Sequence, residues 1–74
     1  MKYTIIVQWS EEDQCYVVSL PEFENVFQPC THGDTYEEAV KNAQEVLEML
    51  IESALENGET LPEPKTWENR FKVA

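Results

Sequence analysis

Three side chains have the chemistry of soft metal ligands or of a nucleophile and its base: Cys15, Cys30 and His32, the last being the only histidine in the chain. Neighbouring antiparallel strands would bring Cys15 near the Cys30-Thr-His32 pair. Three ligands are too few for a closed structural zinc site, and the spacing matches none of the usual paired-cysteine patterns. The cysteines therefore read as packing residues, and no metal or other cofactor is expected. His32 could act as a general base, but no serine or cysteine stands at a spacing that would make a nucleophile pair with it. It reads as a hydrogen-bonded loop histidine.

The carboxylates offer more. Glu11, Glu12 and Asp13 cluster between two apolar stretches, where they could bind a divalent cation, but a hard-cation loop usually has a sharp glycine turn and this one has none. No glycine-rich loop is present to cradle a phosphate. A two-metal nuclease needs several inward carboxylates, and the first apolar stretch, Tyr3 to Trp9, carries no acid at all. No catalytic residue is assigned and no enzymatic activity is expected. Fifteen acidic residues against five basic ones give a formal charge of -10, which repels nucleic-acid phosphates and anionic lipid headgroups and would speed association with a basic protein. Charge alone leaves open whether the acids serve a partner or only solubility.

The elements that must position these residues are legible from periodicity. Tyr3, Ile5, Val7 and Trp9 alternate with Thr4, Ile6 and Gln8, as in a strand, and Cys15 to Leu20 resumes β-branched and aromatic character after the polar Ser10 to Gln14 turn. A hairpin is expected, closed by Pro21, which cannot donate to a ladder. Val26 to His32 reads as a third strand that Pro29 makes an edge or an irregular segment. Thr35 with Glu38 three residues on fits a capping box, and Glu37 and Glu38 suit the first turn of a helix. Ala39, Ala43, Val46, Leu47, Leu50, Ala54 and Leu55 then recur at helical spacing, with Glu45, Glu48, Glu52 and Glu56 on the opposite, solvated face. Asn57-Gly58 ends this long helix. Leu61-Pro-Glu-Pro64 makes an extended linker, with Glu63 solvated, and a short closing strand is expected within Trp67 to Val73. The prolines could present a docking segment, although so short a pair more often only stops a helix.

The resulting order is β-β-β-α-β, an α+β class with a small, mostly antiparallel sheet and one helix on one face. Seventy-four residues, 42% of them hydrophobic, allow one core, which at this size seldom yields more than roughly 3 to 5 kcal/mol. Both alternating sets of the first strands contain bulky apolar residues, so the helix-free face or an edge strand is expected to be buried in a homodimer or higher homo-oligomer. No apolar run approaches the roughly 20 residues of a membrane span, and no secretory signal is evident, so a cytoplasmic location and free thiols are expected.

One ordered set of motifs goes further. Glu12-Asp13-Gln-Cys-Tyr16-Val-Val-Ser-Leu-Pro21, then Cys30-Thr-His-Gly33-Asp34-Thr35-Tyr-Glu37-Glu38-Ala39, then Asn42-Ala43 and Gly58 with Leu61-Pro62-Glu-Pro64, resembles the HicB-like antitoxin family over residues 2–64 or beyond. The resemblance implies a partial RNase H-like fold, in which Pro21, Gly33, Asp34, Thr35 and Glu38 are structural motif positions. It also implies that the chain neutralises HicA, a small basic mRNA-cleaving toxin that uses a histidine, by covering the toxin's active site. The acids expected to contribute are Glu11, Glu12 and Asp13 on the hairpin and Glu45, Glu48 and Glu52 on the helix, with no direct nucleic-acid, membrane or small-molecule partner. The family's glycine-containing hairpin and Pro-Gly-Cys step appear here as Asp13-Gln14 and Gln28-Pro29-Cys30. Residues 1–74 are expected to form a single HicB-like domain without the C-terminal DNA-binding segment that complete antitoxins append. A second reading stays open, an orphan homo-oligomeric structural domain with no cognate toxin.

Overall fold

The computed structural model describes residues 2–67. Within them the chain forms β1 (Ile6–Ser10), β2 (Cys15–Ser19), β3 (Thr31–Gly33) and α1 (Tyr36–Glu56) in that order, an α+β arrangement with an antiparallel sheet ordered β1-β2-β3. The expected closing strand falls, beyond Trp67, outside the described residues.

The hairpin register opposes Val7 to Val18 and Trp9 to Tyr16 on one face, and Ile6 to Ser19 and Gln8 to Val17 on the other. The first face meets the helix. Val18, Leu20 and Phe23 are buried there against Ala39, Ala43 and Leu47, with Tyr3, Ile5, Val7, Val46, Leu50 and Ile51 packed around them. Small alanines at the contact let the helix approach closely, and the closest point is Gly33 at the end of β3. A Cβ built there would lie 2.8 Å from the Ala39 Cα and 2.9 Å from the Glu38 carbonyl carbon, distances no side chain tolerates, so glycine alone fits beneath the first turn. That turn is capped locally: the Glu38 N–H donates to the Thr35 hydroxyl oxygen (3.0 Å), and the Glu38 carboxylate accepts from the Asp34 N–H (3.2 Å). The carboxylate thus reaches one residue further back than a standard capping box.

Two strand boundaries and one helix position differ from the sequence expectation, each for a physical reason. β1 begins at Ile6 rather than Tyr3. Extending the register by two residues would place Thr4 opposite Pro21, which has no N–H, and the Thr4 N–H turns instead to the Glu22 carboxylate. β3 occupies only Thr31 to Gly33 rather than Val26 to His32. Before it, the Gln28 side-chain amide stands in for a strand partner, accepting from the Leu20 N–H (3.0 Å) and donating to the Leu20 and Phe23 carbonyls (3.0 and 3.2 Å), ahead of a cis Gln28–Pro29 peptide. Leu55, expected on the buried helix face, is 66% exposed. The 21 residues of α1 rise about 32 Å, whereas a five-residue strand spans about 17 Å, so the last turn of the helix outruns the sheet that would cover it.

Candidate partner-binding surface

The two ends of the sheet are finished differently. At the N-terminal end of the hairpin, Glu22 is a buried carboxylate, 5% exposed, between Pro21 and Phe23. It accepts from the Thr4 N–H and hydroxyl (3.1 and 3.0 Å) and from the Lys65 N–H (2.9 Å). Tyr3 donates its hydroxyl to the Pro62 carbonyl (2.7 Å), and its ring meets Phe23 edge-on at 5.0 Å. These bonds hold the proline-containing segment after the helix against the start of the chain. Burial pushes the Glu22 carboxyl up, but the hydrogen bonds from Lys65 and Thr4 outweigh it and hold the group below the ordinary carboxylate value.

At the other end the hairpin loop is open to solvent. Glu11, Glu12, Asp13 and Gln14 are all exposed. The loop organises itself: the Asp13 N–H donates to the Ser10 hydroxyl oxygen (3.1 Å), that hydroxyl donates to the Asp13 carboxylate (3.1 Å), and the Gln14 amide donates to the Glu11 carbonyl (2.6 Å). Gln14 holds a left-handed φ of 54°. Behind the loop the Trp9 and Tyr16 rings meet edge-on at 5.1 Å, and Tyr36 lies 4.2 Å from Tyr16, tilted by 33°. Trp9 is 46% and Tyr36 63% exposed, because only the N-terminus of the helix reaches this end of the sheet.

The candidate acids therefore form two sets rather than one. The Tyr16–Tyr36 contact places the helix N-terminus beside the hairpin, so Glu45 and Glu52 lie about 13 and 24 Å further along the helix axis than Tyr36. Glu45, Glu48 and Glu52 are exposed. Cys15, Cys30 and His32, with Asp13 and Asp34, line one open cavity of about 510 Å³ on the sheet. Among the described residues, however, no three His, Cys, Asp or Glu side chains are placed to hold a metal ion. Both cysteines are free, and burial raises the Cys30 thiol pKa, which favours the neutral form. His32 is exposed, and its carbonyl accepts from the Asn42 side-chain amide (2.7 Å), tying β3 to the helix. Pro21 closes the β2 ladder, and Asp34 precedes the Thr35 cap.

Three residues, Trp9, Tyr36 and Glu22, take on surroundings that spacing along the chain does not specify. Trp9, expected on one strand face with Tyr3, Ile5 and Val7, does share the Val7 face, yet it is 46% exposed. Tyr36 carried a signal of its own, an aromatic immediately after a helix cap and off the alanine-leucine stripe. Glu22 stands between the second and third strands, in a stretch with neither strand nor helix periodicity. The donors that satisfy its carboxylate, Thr4 and Lys65, are distant in sequence, so no local spacing marks the position.

A three-stranded antiparallel sheet, one long helix and a strongly acidic exterior define a small acidic α+β domain. The chain belongs to the HicB-like antitoxin family: the model described as HicB_like antitoxin of bacterial toxin-antitoxin system matches residues 3–73. Searches of curated proteins and of solved structures gave no match. Family membership implies a toxin as partner. No helix among the described residues is long and apolar enough to cross a membrane.

Proposed function

We propose that this chain neutralises a small basic HicA-like ribonuclease in the cytoplasm by binding it and covering its active site, with no catalysis of its own. The observation that carries the reading is the antitoxin-family match over residues 3–73. Charge supports it, since a chain with a net charge of -10 is suited to a protein whose own surface must attract RNA. The Glu11, Glu12 and Asp13 hairpin supplies the steering field, and a chain of this charge is expected not to bind RNA. Glu45, Glu48 and Glu52 extend the field along the helix.

Self-association belongs to the same reading. The helix-free sheet face carries Ile6, 38% exposed, and the half-buried Val17 among Gln8, Ser19 and His32, and a second copy of the chain covers it. Sedimentation at high micromolar concentration distinguishes the dimer from a monomer.

The functional test is co-expression with a short basic protein encoded in the neighbouring reading frame, followed by pull-down at low and high salt. The expected result is a silent, bound toxin whose association slows as salt rises. Replacing Glu11, Glu12 and Asp13 by lysines slows association strongly while each change alters folding stability by no more than about 0.5 kcal/mol. A toxin that stays active and unbound overturns the proposal in favour of the orphan structural reading.

A further inference from the structure

We propose that the Trp9, Tyr16 and Tyr36 rings form a platform that receives an arginine side chain of a basic partner protein. The proposal rests on the antitoxin reading for the partner's identity, and on the geometry for the site itself.

Large aromatic side chains normally enter a core, where each buries 150 to 250 Å² or so. Here Trp9 and Tyr36 leave much of their surface in water, although the chain is small and its core would gain from them. They are also fixed. Tyr16 is pinned between them, edge-on to Trp9 at 5.1 Å and an interplanar angle of 71°, and tilted against Tyr36 at 4.2 Å. Cross-strand pairing holds Trp9 opposite Tyr16, and the capped first turn of the helix holds Tyr36. Rings fixed in advance lose little rotamer freedom on binding, which is why Tyr and Trp anchor protein interfaces. Val40, one helical turn past Tyr36 and 38% exposed, extends the apolar area.

The surroundings select the occupant. Trp9 is followed after one residue by Glu11, Glu12 and Asp13, and Tyr36 by Glu37 and Glu38, so the rings are flanked on both chain segments by exposed carboxylates. An aromatic face beside carboxylates attracts a cation through the ring quadrupole and the field together. Guanidinium fits better than ammonium, because it stacks flat on a ring while its N–H groups reach a carboxylate. Single-stranded nucleic acid also stacks on aromatics, but it requires a basic groove to hold its backbone, and this surface repels phosphate. A second copy of the chain is disfavoured on this patch by the same charge, since each copy carries fifteen acidic residues against five basic ones.

The test uses the full chain with Trp67→Phe, which leaves Trp9 as the single indole, so that its fluorescence reports the platform. Three synthetic peptides of equal length, carrying arginine, lysine or the neutral isostere citrulline at the same positions, are titrated in. The arginine peptide is expected to shift Trp9 emission and bind more tightly than the lysine peptide, and the citrulline peptide to bind negligibly. Tyr36→Ala weakens the arginine peptide by roughly two- to thirtyfold, Tyr36→Phe keeps the affinity, and Tyr36→Lys, equally exposed, abolishes binding by placing a cation on the platform. Thermal melts confirm that each variant folds. Equal binding of the arginine and lysine peptides, unaffected by Tyr36→Ala, overturns the proposal and leaves the carboxylates as a diffuse attractor. The same variants are then measured against the basic ribonuclease, where Tyr36→Ala is expected to raise the dissociation rate even at high salt. A toxin held equally well by wild type and Tyr36→Ala overturns the platform while the antitoxin function stands. A chain that discriminates the peptides but binds no toxin overturns the function while the platform stands.

Discussion

The end of the sheet around Glu22 and the end around Trp9 are built from similar residue types, carboxylates and aromatics, yet one is closed and the other open. At the closed end a carboxylate is taken inside, its oxygens filled by Thr4 and Lys65, and Tyr3 meets Phe23 over it. At the open end Glu11, Glu12 and Asp13 are exposed and the rings of Trp9 and Tyr36 stay half in solvent. Buried polar groups are tolerated where every bond is made, and such sites fix the chain. Exposed aromatics beside unpaired charges add little to folding and keep their free energy for a partner. The first end holds the fold together, and the second is the end we propose for binding.

The sharpest way to break this division is to measure what each part contributes to stability. Leu47, 4% exposed and central to the helix contact, is expected to cost about 2 to 5 kcal/mol when changed to Ala. Leu50, only half-buried at the margin of the core, is expected to cost less in the same urea titration. A Leu47→Ala midpoint close to wild type would mean that the assigned helix face does not carry the fold.

Glu22→Gln tests the closed end. A neutral amide of the same shape cannot accept all the bonds that the carboxylate takes from Thr4 and Lys65, and a loss of about 1 to 3 kcal/mol is expected. The pH dependence has a definite sign. Because the folded carboxyl titrates below its unfolded value, its stabilisation is fully present above the unfolded value and is lost as pH falls through the folded one. Wild type should therefore lose stability on acidification more steeply than Glu22→Gln, and parallel curves would show that the carboxylate contributes nothing as an ion.

Tyr36→Ala tests the open end, and its cost should stay below about 1 kcal/mol, since a 63% exposed ring loses only part of its burial and one ring contact. A loss comparable to Leu47→Ala would make the platform part of the core and remove the distinction between the two ends. The smallest effect is expected at the hairpin. Gln14 sits at φ 54°, where a side chain is strained, and Gln14→Gly should raise stability by up to about 1 kcal/mol, less the bond its amide gives to Glu11. A calorimetric melt that moves down would show that the amide bond outweighs the strain.

The sequence alone determined the element types, because each depends on local spacing. Alternation from Tyr3 to Leu20 made a hairpin, the Thr35 and Glu38 pair marked the helix start, and Asn57-Gly58 marked its end, where the Asn57 and Gly58 N–H groups donate to the Ser53 and Leu55 carbonyls. The motif order was also enough to point to the HicB-like family, which the match over residues 3–73 established. Tertiary structure alone decided what covers what. A helix longer than its sheet leaves Leu55 in water, although its spacing is that of a core residue. The strand pairing stops short of Pro21 and Thr4 turns to Glu22, which makes a buried clasp of a residue that local spacing leaves unmarked. Trp9 shares a strand face with Val7, yet one is packed and the other half-exposed, because only the N-terminus of the helix reaches the end of the sheet where Trp9 stands. Periodicity tells which side of an element a residue faces; only the length and placement of the opposing element tell whether anything lies there.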